Sequence, residues 1–282
     1  VTELMGEEYA SKLGKMYVGT IHSFALRILQ DYFGYGNYDV LDENQEMAFI
    51  MRRGWEIGIQ NLNGNNYGEK CQKFAEAVNV IYDELIDREK LKNKDPEFYN
   101  VFGKYEKILD EYHRLTFSRL IYLAVTKIRE YREKLPKIKH LIVDEYQDIN
   151  HAQEELIKLI GRDASIMVVG DPRQTIYQWR GSDDKCFERF ATEIYPDTET
   201  ITIPENRRSG KKIVEISNSV SDTFKRRKFE HMKPLRNEEG YVYVIIAEDP
   251  YDEARWVIDQ IQELVKNEGL NYSDFGILLR SV

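Results

Sequence analysis

The 282-residue chain is poor in the features that mark secreted, membrane-spanning and zinc-stabilised proteins. Its two cysteines, Cys71 and Cys186, lie far apart and form no Cys-x-x-Cys pair. This argues against a disulfide framework or a structural zinc site and fits a reducing compartment such as the cytoplasm. No apolar run approaches the roughly 18 residues of a membrane-spanning helix, and no signal-peptide pattern opens the chain, so we expect no membrane partner.

The chain also lacks an excess of positive charge. Its 40 Lys and Arg residues against 49 Asp and Glu residues leave a net charge of −9. A strongly basic domain would by itself indicate nucleic-acid binding, so a nucleic-acid site here would have to be a local cleft. Basic runs occur at residues 207–212 and 225–228. The simpler interpretation of each run is a solvated helix face, and we favour this interpretation for residues 225–228.

Residues 42–115 predict an all-helical block with long polar stretches. Phe74, Val78 and Ile81 recur at the spacing of a helix with one buried face, and the pattern continues to Leu85.

From about residue 117 onward, short apolar runs alternate with helical patterns. The runs at residues 140–143 and 166–169 end in charged residues or Gly-Asp, as buried parallel strands do, and Asn150 with Gln153 predicts a capping box on the helix between them. This alternation predicts right-handed βαβ units in a parallel sheet. Further strands are predicted at residues 201–203, 241–246 and 275–279, and helices at residues 1–13, 16–33, 96–113, 120–131, 211–224 and 252–266.

Asp144 and Glu145 stand where the first of these strands ends. Ligands of open parallel sheets bind at the carboxyl ends of the strands. Two adjacent carboxylates there can divide the work of phosphate chemistry, because one can anchor Mg²⁺ and the other can orient a water for attack. A bare strand followed by Asp-Glu is more often a charged turn, so the pair alone leaves both interpretations open.

Residues 168–183 follow the next strand and favour the functional interpretation. They combine the polar side chain of Gln174 with the aromatic and basic side chains of Tyr177, Trp179 and Arg180. Trp faces stack on unpaired bases, and Arg pairs with phosphate. A lone Trp-Arg pair is more often a core Trp beside a surface Arg. Here the flanking Gly and Pro residues favour a loop with a defined conformation.

Asp-Glu-Tyr-Gln-Asp at residues 144–148, followed by Gly-Asp-Pro-Arg-Gln-Thr-Ile-Tyr-Gln-Trp-Arg-Gly at residues 170–181, resembles motifs II and III of the UvrD/Rep/PcrA superfamily-1 DNA helicases. The pair is highly specific in this order and at this spacing. Residues 19–24 resemble motif Ib, residues 205–209 resemble motif IV, and residues 252–255 resemble a stretch of the second motor domain. The likeness is weakest across the helical block.

The resemblance implies an α/β fold in three parts. These are an incomplete RecA-like domain 1A (residues 1–41 and 116–195), a helical insertion 1B (residues 42–115) and the start of a RecA-like domain 2A (residues 196–282). It also implies an ATP-dependent helicase or translocase that moves 3′ to 5′ along single-stranded DNA, in DNA repair or replication. Single-stranded DNA and its junctions with duplex would be the partners, ATP the substrate and Mg²⁺ the cofactor.

The resemblance assigns nucleotide-binding roles residue by residue. Asp144 would hold Mg²⁺, Glu145 would activate the attacking water, and Gln174 would sense the γ-phosphate. Arg208 would reach the γ-phosphate as an arginine finger. Arg207 stands where the family usually has a Tyr that stacks on adenine; a guanidinium plane can stack as well, so binding would survive with a changed base preference.

On the DNA side, the resemblance assigns Tyr177, Trp179 and Arg180 to single-stranded DNA, and Thr20 and His22 to the DNA backbone near motif Ib. Taken by itself, His22 is more often a core or capping histidine.

The phosphate-binding loop GxxxxGK[ST] is absent from this sequence, and in the family it comes before the equivalent of residue 1. Gly14-Lys15-Met16 lacks both the leading Gly and the Ser or Thr, and Gly210-Lys211-Lys212 fails likewise. Motifs V and VI would follow residue 282. Thr116 stands where the family commonly has Asp, a change that nothing in the sequence explains. Since the chain also begins with Val1, we expect a fragment, or the ordered part, of a longer protein.

Two alternatives stay open. One is a natural non-catalytic module that keeps a degenerate motor for DNA binding or as a scaffold; a start codon roughly 60–80 residues upstream, with GxxxxGK[ST] in between, would exclude it. The other is the motor part of a RecB/AddA-type helicase–nuclease, whose motif III often has Lys in the place of Arg173. The nuclease domain that would decide is not within these residues.

We expect the 282-residue chain by itself to hydrolyse ATP negligibly, with or without single-stranded DNA, because positioning of the phosphates supplies nearly all of the catalysis. The measurement is ATP turnover with Mg²⁺ by protein shown to be folded by circular dichroism. DNA-stimulated turnover that disappears with Glu145→Gln would contradict this expectation, since other residues would then have to hold the phosphates.

Overall fold

A computed structural model describes residues 16–175, 185–224 and 230–279. The chain divides into two compact units, Val1–Thr200 and Ile201–Val282, and each is described by itself. The helix predicted at residues 1–13 lies outside the described residues.

The first unit alternates helices with short strands, mixing α and β structure as the sequence predicts. Its elements in chain order are α1 (Ile21–Phe33), β1 (Asp39–Leu41), α2 (Glu43–Ile57), α3 (Tyr67–Asp83), α4 (Arg88–Lys94), α5 (Pro96–Glu111), β2 (Arg114–Thr116), α6 (Phe117–Glu130), β3 (His140–Val143), α7 (His151–Gly161), β4 (Ser165–Val168) and the short α8 (Cys186–Arg189). A π-helical turn at Phe190–Ile194 continues α8.

Strands β3 and β4 pair in parallel, in a register that sets Val143 opposite Val168. Helix α7 connects them, so the predicted βαβ unit is confirmed. Asn150 caps α7 through the predicted capping box with Gln153, each side chain accepting a backbone N–H of the other. Because the strands are parallel and in register, both carboxyl ends open onto the same edge of the sheet.

Helix α1 begins and ends at residues suited to those positions. The hydroxyl of Thr20 accepts a hydrogen bond from the backbone N–H of Ser23, and Gly34 ends the helix with a left-handed φ of 81°. The buried face of α1 (Ala25, Ile28, Leu29) joins α6 and α7 in one apolar core. A separate apolar cluster, which includes Val143, Ile149 and Ile157, packs on the β3–β4 pair.

The residues between β1 and β2 are helical, as the sequence predicts, and form an apolar core of their own around Phe74, Tyr82 and Tyr105. Helix α3 ends at Asp83, earlier than predicted, and Leu85 adopts a left-handed φ of 49°. The parallel pairing of β1 with β2 was not predicted. Strands of three residues carry too little periodicity to be recognised in a sequence.

Arg88 at the start of α4 links this helical block to α6. Its Nε donates to the hydroxyl of Tyr122 at 3.2 Å, and its Nη2 donates to Glu106 at 2.8 Å. The guanidinium lies over the ring of Phe102, 4.2 Å from the centroid. Tyr122 belongs to α6, which also lines the core shared with α1 and α7, so one side chain ties the two cores together.

The second unit contains β5 (Glu205–Asn206), α9 (Lys211–Asp222), β6 (Lys233–Pro234) and α10 (Pro250–Glu268). Both predicted helices are confirmed, and Gly269 ends α10 with a φ of 69°. None of the described helices is long and apolar enough to cross a membrane.

The strands predicted at residues 201–203, 241–246 and 275–279 are not formed among the described residues of this unit. Their apolar side chains are largely exposed, with Val244 at 90%, Ile246 at 97% and Leu278 at 97%. A strand needs a neighbour that takes its backbone hydrogen bonds, and the only strand pairing described here is the two-residue pair β5–β6. These residues do have the apolar pattern of strands. The pattern does not show whether a neighbouring strand is present to pair with them.

We expect Glu46→Gln to raise the free energy of unfolding near neutral pH. Burial raises the pKa of the Glu46 carboxyl and outweighs hydrogen bonds from Tyr105 and Asn79 that lower it. The folded state therefore binds this proton to a higher pH than the unfolded state does, and stability falls as pH rises from the ordinary pKa of Glu through the raised pKa of the folded state. Gln avoids this penalty and can still accept from the Tyr105 hydroxyl, which lies 3.0 Å from Glu46 Oε1.

Denaturant unfolding at several pH values measures this effect. The gain should shrink as the pH is lowered below the ordinary pKa of Glu, and Glu89→Gln at an exposed position of α4 should change little at any pH. Equal changes in the free energy of unfolding for Glu46→Gln and Glu89→Gln would contradict a raised pKa of Glu46.

Candidate active site

The carboxylate loop, residues 144–148, leaves the end of β3 and turns back over the sheet edge. Asp144 Oδ1 accepts a hydrogen bond from the backbone N–H of Glu145 at 2.9 Å. Glu145 has a left-handed backbone (φ 52°), which is uncommon for a residue with a side chain. The backbone N–H of Tyr146 donates to the carbonyl of Val169 at 2.9 Å, so the loop is fastened to the end of β4. The carboxylates of Asp144 and Glu145 therefore stay exposed at the predicted edge.

Gln147 is almost completely buried, at 1% exposure, and connects the carboxylate loop with the loop after β4. Its Nε2 donates to Glu145 Oε2 at 2.7 Å, and its Oε1 accepts from the backbone N–H of Asp171 at 3.1 Å. Gly170 makes this approach possible, because a Cβ there would overlap Gln147 Oε1 and lie 2.9 Å from the ring of Phe187. No pattern in the sequence marks Gln147 for a role, although it lies inside the motif.

Asp171 organises the loop that follows β4. Its carboxylate accepts from Arg173 Nε at 2.9 Å and from Gln174 Nε2 at 3.2 Å. Burial acts to raise the pKa of Asp171, but the hydrogen bonds from Arg173 and Gln174 prevail and lower it. Asp171 is therefore an anion under ordinary conditions, and it holds Gln174, one of the predicted site residues, beside the carboxylate loop.

Asp148 closes the carboxylate loop and carries a polar atom without a partner. Its Oδ1 is buried and makes no hydrogen bond, while its Oδ2 lies 3.4 Å from Gln147 Nε2. Burial and the negative charge of Glu145 raise the pKa of Asp148, against a weaker hydrogen bond from Gln147. An orphaned carboxylate oxygen next to Glu145 suits a cation or a bound water.

Within the described residues, no group of three or more His, Cys, Asp or Glu side chains forms a cage for a metal ion. Mg²⁺ in phosphate-transfer sites often takes only one or two protein carboxylates and completes its shell with water and substrate oxygens. The exposed Asp144 and Glu145 pair and the orphaned oxygen of Asp148 fit such an open site.

A buried ion pair that the sequence analysis missed supports the carboxylate loop from below. Glu154 on α7 is 2% exposed and accepts from Arg189 Nη2 at 3.0 Å and from the hydroxyl of Tyr146 at 3.4 Å. Burial and the nearby Glu154 raise the pKa of Tyr146, so its hydroxyl stays protonated and donates. In the sequence, Glu154 reads as an ordinary polar position on a capped helix, so no signal marked it.

Thr20 and His22, predicted to touch DNA, have structural partners in the first unit. Thr20 caps α1, and His22 packs edge-on against Phe117, with ring centroids 5.3 Å apart. Burial lowers the pKa of His22, which favours the neutral imidazole. Thr20 is exposed, so capping leaves it accessible. Tyr177, Trp179 and Arg180 lie outside the described residues.

Arg207 and Arg208 lie in the second unit, directly after β5. Asn206 shapes this turn, because its Oδ1 accepts from the backbone N–H groups of Arg208 at 3.0 Å and Ser209 at 2.8 Å. Both arginines are exposed, and Arg207 Nη2 lies 3.3 Å from Glu205 Oε2. The turn thus presents two cations to solvent. The basic run at residues 225–228 lies outside the described residues.

Known proteins resemble this chain along its whole length. A sequence profile of the UvrD/REP helicase N-terminal domain matches residues 1–195, and one of the UvrD-like helicase C-terminal domain matches residues 201–282. The chain is 30% identical over 311 residues to the ATP-dependent DNA helicase UvrD1 of Mycobacterium tuberculosis. It is 27% identical over 294 residues to the ATP-dependent DNA helicase PcrA of Leuconostoc citreum and 28% identical over 295 residues to that of Staphylococcus epidermidis. Each match covers 100% of this chain but only 38% or 39% of the relative.

We expect Gly170→Ala to lower the free energy of unfolding by about 1–3 kcal/mol, as overpacking of a closed site does. The added methyl would overlap Gln147 Oε1 and crowd the backbone nitrogen of Tyr146 at 3.1 Å. Gly103→Ala in the middle of α5 is the matched control, since a Cβ there meets nothing within 4 Å. The control should stabilise the fold by about 0.5–1 kcal/mol through helix propensity. Denaturant unfolding of both variants measures the difference in their free energies of unfolding. A Gly170→Ala variant that is as stable as the unchanged protein would contradict the expectation.

Proposed function

Because this chain belongs to the UvrD/REP helicase family, we propose that it forms part of the motor of an ATP-dependent DNA helicase that moves 3′ to 5′ along single-stranded DNA in repair or replication. The observation that carries the proposal is the meeting of two loops at the carboxyl ends of neighbouring parallel strands. One loop carries Asp144 and Glu145, the other carries Gln174, and the buried amide of Gln147 joins them. This is where an α/β sheet binds a nucleotide.

The proposed architecture follows the sequence interpretation. Residues 1–41 and 116–195 would form a RecA-like domain 1A, residues 42–115 the helical insertion 1B, and residues 196–282 the beginning of domain 2A. The separate apolar core of the helical block and the division of the chain near residue 200 support this partition.

For ATP hydrolysis we propose that Asp144 holds Mg²⁺, which when bound would neutralise charge on the phosphates. Glu145 would accept a proton from the attacking water, a role that suits an exposed carboxylate held by one hydrogen bond from Gln147. Gln174 would contact the γ-phosphate through its amide, which Asp171 now holds at 3.2 Å.

For the two exposed arginines of the second unit we propose nucleotide-binding roles. Arg208 would stabilise charge developing on the γ-phosphate, as an arginine finger does. Arg207 would stack its guanidinium plane on the adenine ring in place of an aromatic side chain. The Asn206 turn supports both roles, because it fixes the backbone from which the two side chains extend.

For DNA we propose that Thr20 contacts the backbone of the single strand from the exposed start of α1, with His22 beside it. A neutral, half-buried His22 would donate or accept a hydrogen bond without adding charge. Tyr177, Trp179 and Arg180 would supply stacking and phosphate contacts. The net charge of −9 is consistent with a local cleft for the strand.

The second candidate is a non-catalytic DNA-binding or scaffold module, which would bind single-stranded DNA without hydrolysing ATP. The helicase–nuclease alternative rests only on residues 170–174, which are also compatible with the first proposal.

The test compares ATP hydrolysis by the full-length protein containing this chain with that of its Glu145→Gln variant, with and without single-stranded DNA. We expect DNA-stimulated turnover, and a loss of about a hundredfold or more in kcat for the variant, because a general base contributes that much. Glu133→Gln, an exposed position before β3, is the control and should leave turnover unchanged.

The outcomes separate the candidates. Tight binding of single-stranded DNA without any ATP turnover in the full-length protein would favour the non-catalytic module. Turnover that survives Glu145→Gln would reject the role of the carboxylate loop as proposed. Turnover coupled to unwinding of a 3′-tailed but not a 5′-tailed duplex would support the direction.

A further inference from the structure

Gln147 belongs to the carboxylate loop and makes hydrogen bonds both to Glu145 within that loop and to Asp171 in the loop after β4. We propose that Gln147 is a positioning residue that holds the Glu145 carboxylate with one end of its amide and the Asp171 loop with the other, so that the two loops keep one alignment. The inference rests on the proposed ATPase function for its catalytic consequence. Its structural part stands on the contacts alone.

The first contact restrains the proposed general base. Glu145 is exposed and its backbone is left-handed, so sheet packing does not hold its side chain. The 2.7 Å bond from Gln147 Nε2 to Glu145 Oε2 is the side-chain contact that fixes the carboxylate. An anchored carboxylate loses rotamer freedom before the reaction rather than during it.

The second contact continues the chain of hydrogen bonds to Gln174. Gln147 Oε1 accepts from the Asp171 N–H at 3.1 Å, and the Asp171 carboxylate accepts from Gln174 Nε2 at 3.2 Å. Three bonds thus join the proposed water-activating residue to the proposed phosphate sensor. Gly170 keeps this connection short, since any Cβ at that position would displace the Gln147 amide.

A neutral amide side chain satisfies both neighbours at any pH, whereas an ionised Glu does not. At residue 147 one end must donate to a carboxylate, and the other must accept from a backbone N–H. A Glu at this position would keep the acceptor for Asp171 but would face the carboxylates of Glu145 and Asp148 without a donor. A short apolar side chain would lose both contacts. Comparing Gln147→Glu with Gln147→Ala therefore distinguishes the contact with Glu145 from the contact with Asp171.

The catalytic arm is tested in the full-length protein with Gln147→Glu. We expect kcat to fall about tenfold to a hundredfold with KM for ATP nearly unchanged, because misalignment of a general base costs rate rather than binding. The acid limb of the pH profile of kcat should shift to higher pH, since a second carboxylate raises the pKa of the first. In the Glu145→Gln background, the same change should cause no further loss, because residues that act as a unit are not additive.

The matched control is Gln72→Glu on α3. Gln72 Nε2 also donates to a carboxylate, that of Glu76 at 3.0 Å, but on an exposed helix surface. This variant should keep both kcat and the pH profile. If Gln147→Glu behaves like this control while Glu145→Gln is inactive, the positioning role is wrong and the proposed function stands.

The structural arm is tested in the 282-residue chain itself by amide hydrogen exchange at Asp171. Gln147→Ala should speed exchange there by about tenfold or more, because the N–H loses its acceptor, whereas Gln147→Glu keeps an acceptor and should protect it. Thermal unfolding of both variants verifies that the fold is retained. Unchanged exchange in a folded Gln147→Ala overturns the inference whatever the ATPase shows. If the full-length protein has no turnover that depends on Glu145, the proposed function fails, and the exchange result still decides whether Gln147 links the loops.

Discussion

The parallel register of β3 and β4 is the constraint on which the candidate site depends. Val143 and Val168 lie opposite each other, so the chain leaves both strands at the same edge and at the same height. Two backbone hydrogen bonds extend the pairing past the strands, from Val169 to Val143 and from Tyr146 to Val169. A slip of one residue would turn every side chain of β4 to the opposite face of the sheet. The loops could then no longer meet through one amide.

Beneath that edge, the buried ion pair of Glu154 and Arg189 specifies how α7 and α8 support the loops. Removing charges from water is costly, and such a pair adds little net stability unless its geometry and further hydrogen bonds are good. Here Glu154 also accepts from Tyr146 and lies 3.8 Å from Lys158 Nζ. Loss of Arg189 would remove the nearer cation of the buried Glu154 carboxylate, which lies at 3.0 Å against 3.8 Å for Lys158. The arrangement therefore enforces one packing of α7, α8 and the carboxylate loop.

Polar and aromatic contacts at Arg88 help to attach the helical block to the rest of the first unit, beside the ring contact of Tyr82 with Tyr122. The Arg88 guanidinium lies over the ring of Phe102 and donates hydrogen bonds to Tyr122 and Glu106. These contacts depend on orientation, so they restrict how α4 packs against α6. Since Tyr122 stands on α6, the block is oriented by the same helix that packs beside α1 and α7. Helix α6 thus contacts both the helical block and the core that it shares with α1 and α7.

The sequence by itself determined the local features, because these depend on neighbours along the chain. The capping box of Asn150 and the strand that ends just before Asp144 both follow from periodicity and residue chemistry. It also placed both loops of the candidate site and carried the family resemblance. It failed at residues 241–246, where an apolar pattern met no neighbouring strand among the described residues.

The tertiary structure decided which side chains meet. Gln147 and Asp171 are joined across 24 positions of sequence, and Glu154 and Arg189 across 35. No spacing rule reaches such pairs, since they are brought together only when the β3–β4 register and the packing of α7 are both fixed. For the same reason Thr20 and His22 carried an ambiguous signal, because capping and ring packing use the same residues that a DNA contact would. Local chemistry thus decides the elements, and only packing over distance decides the connections between them.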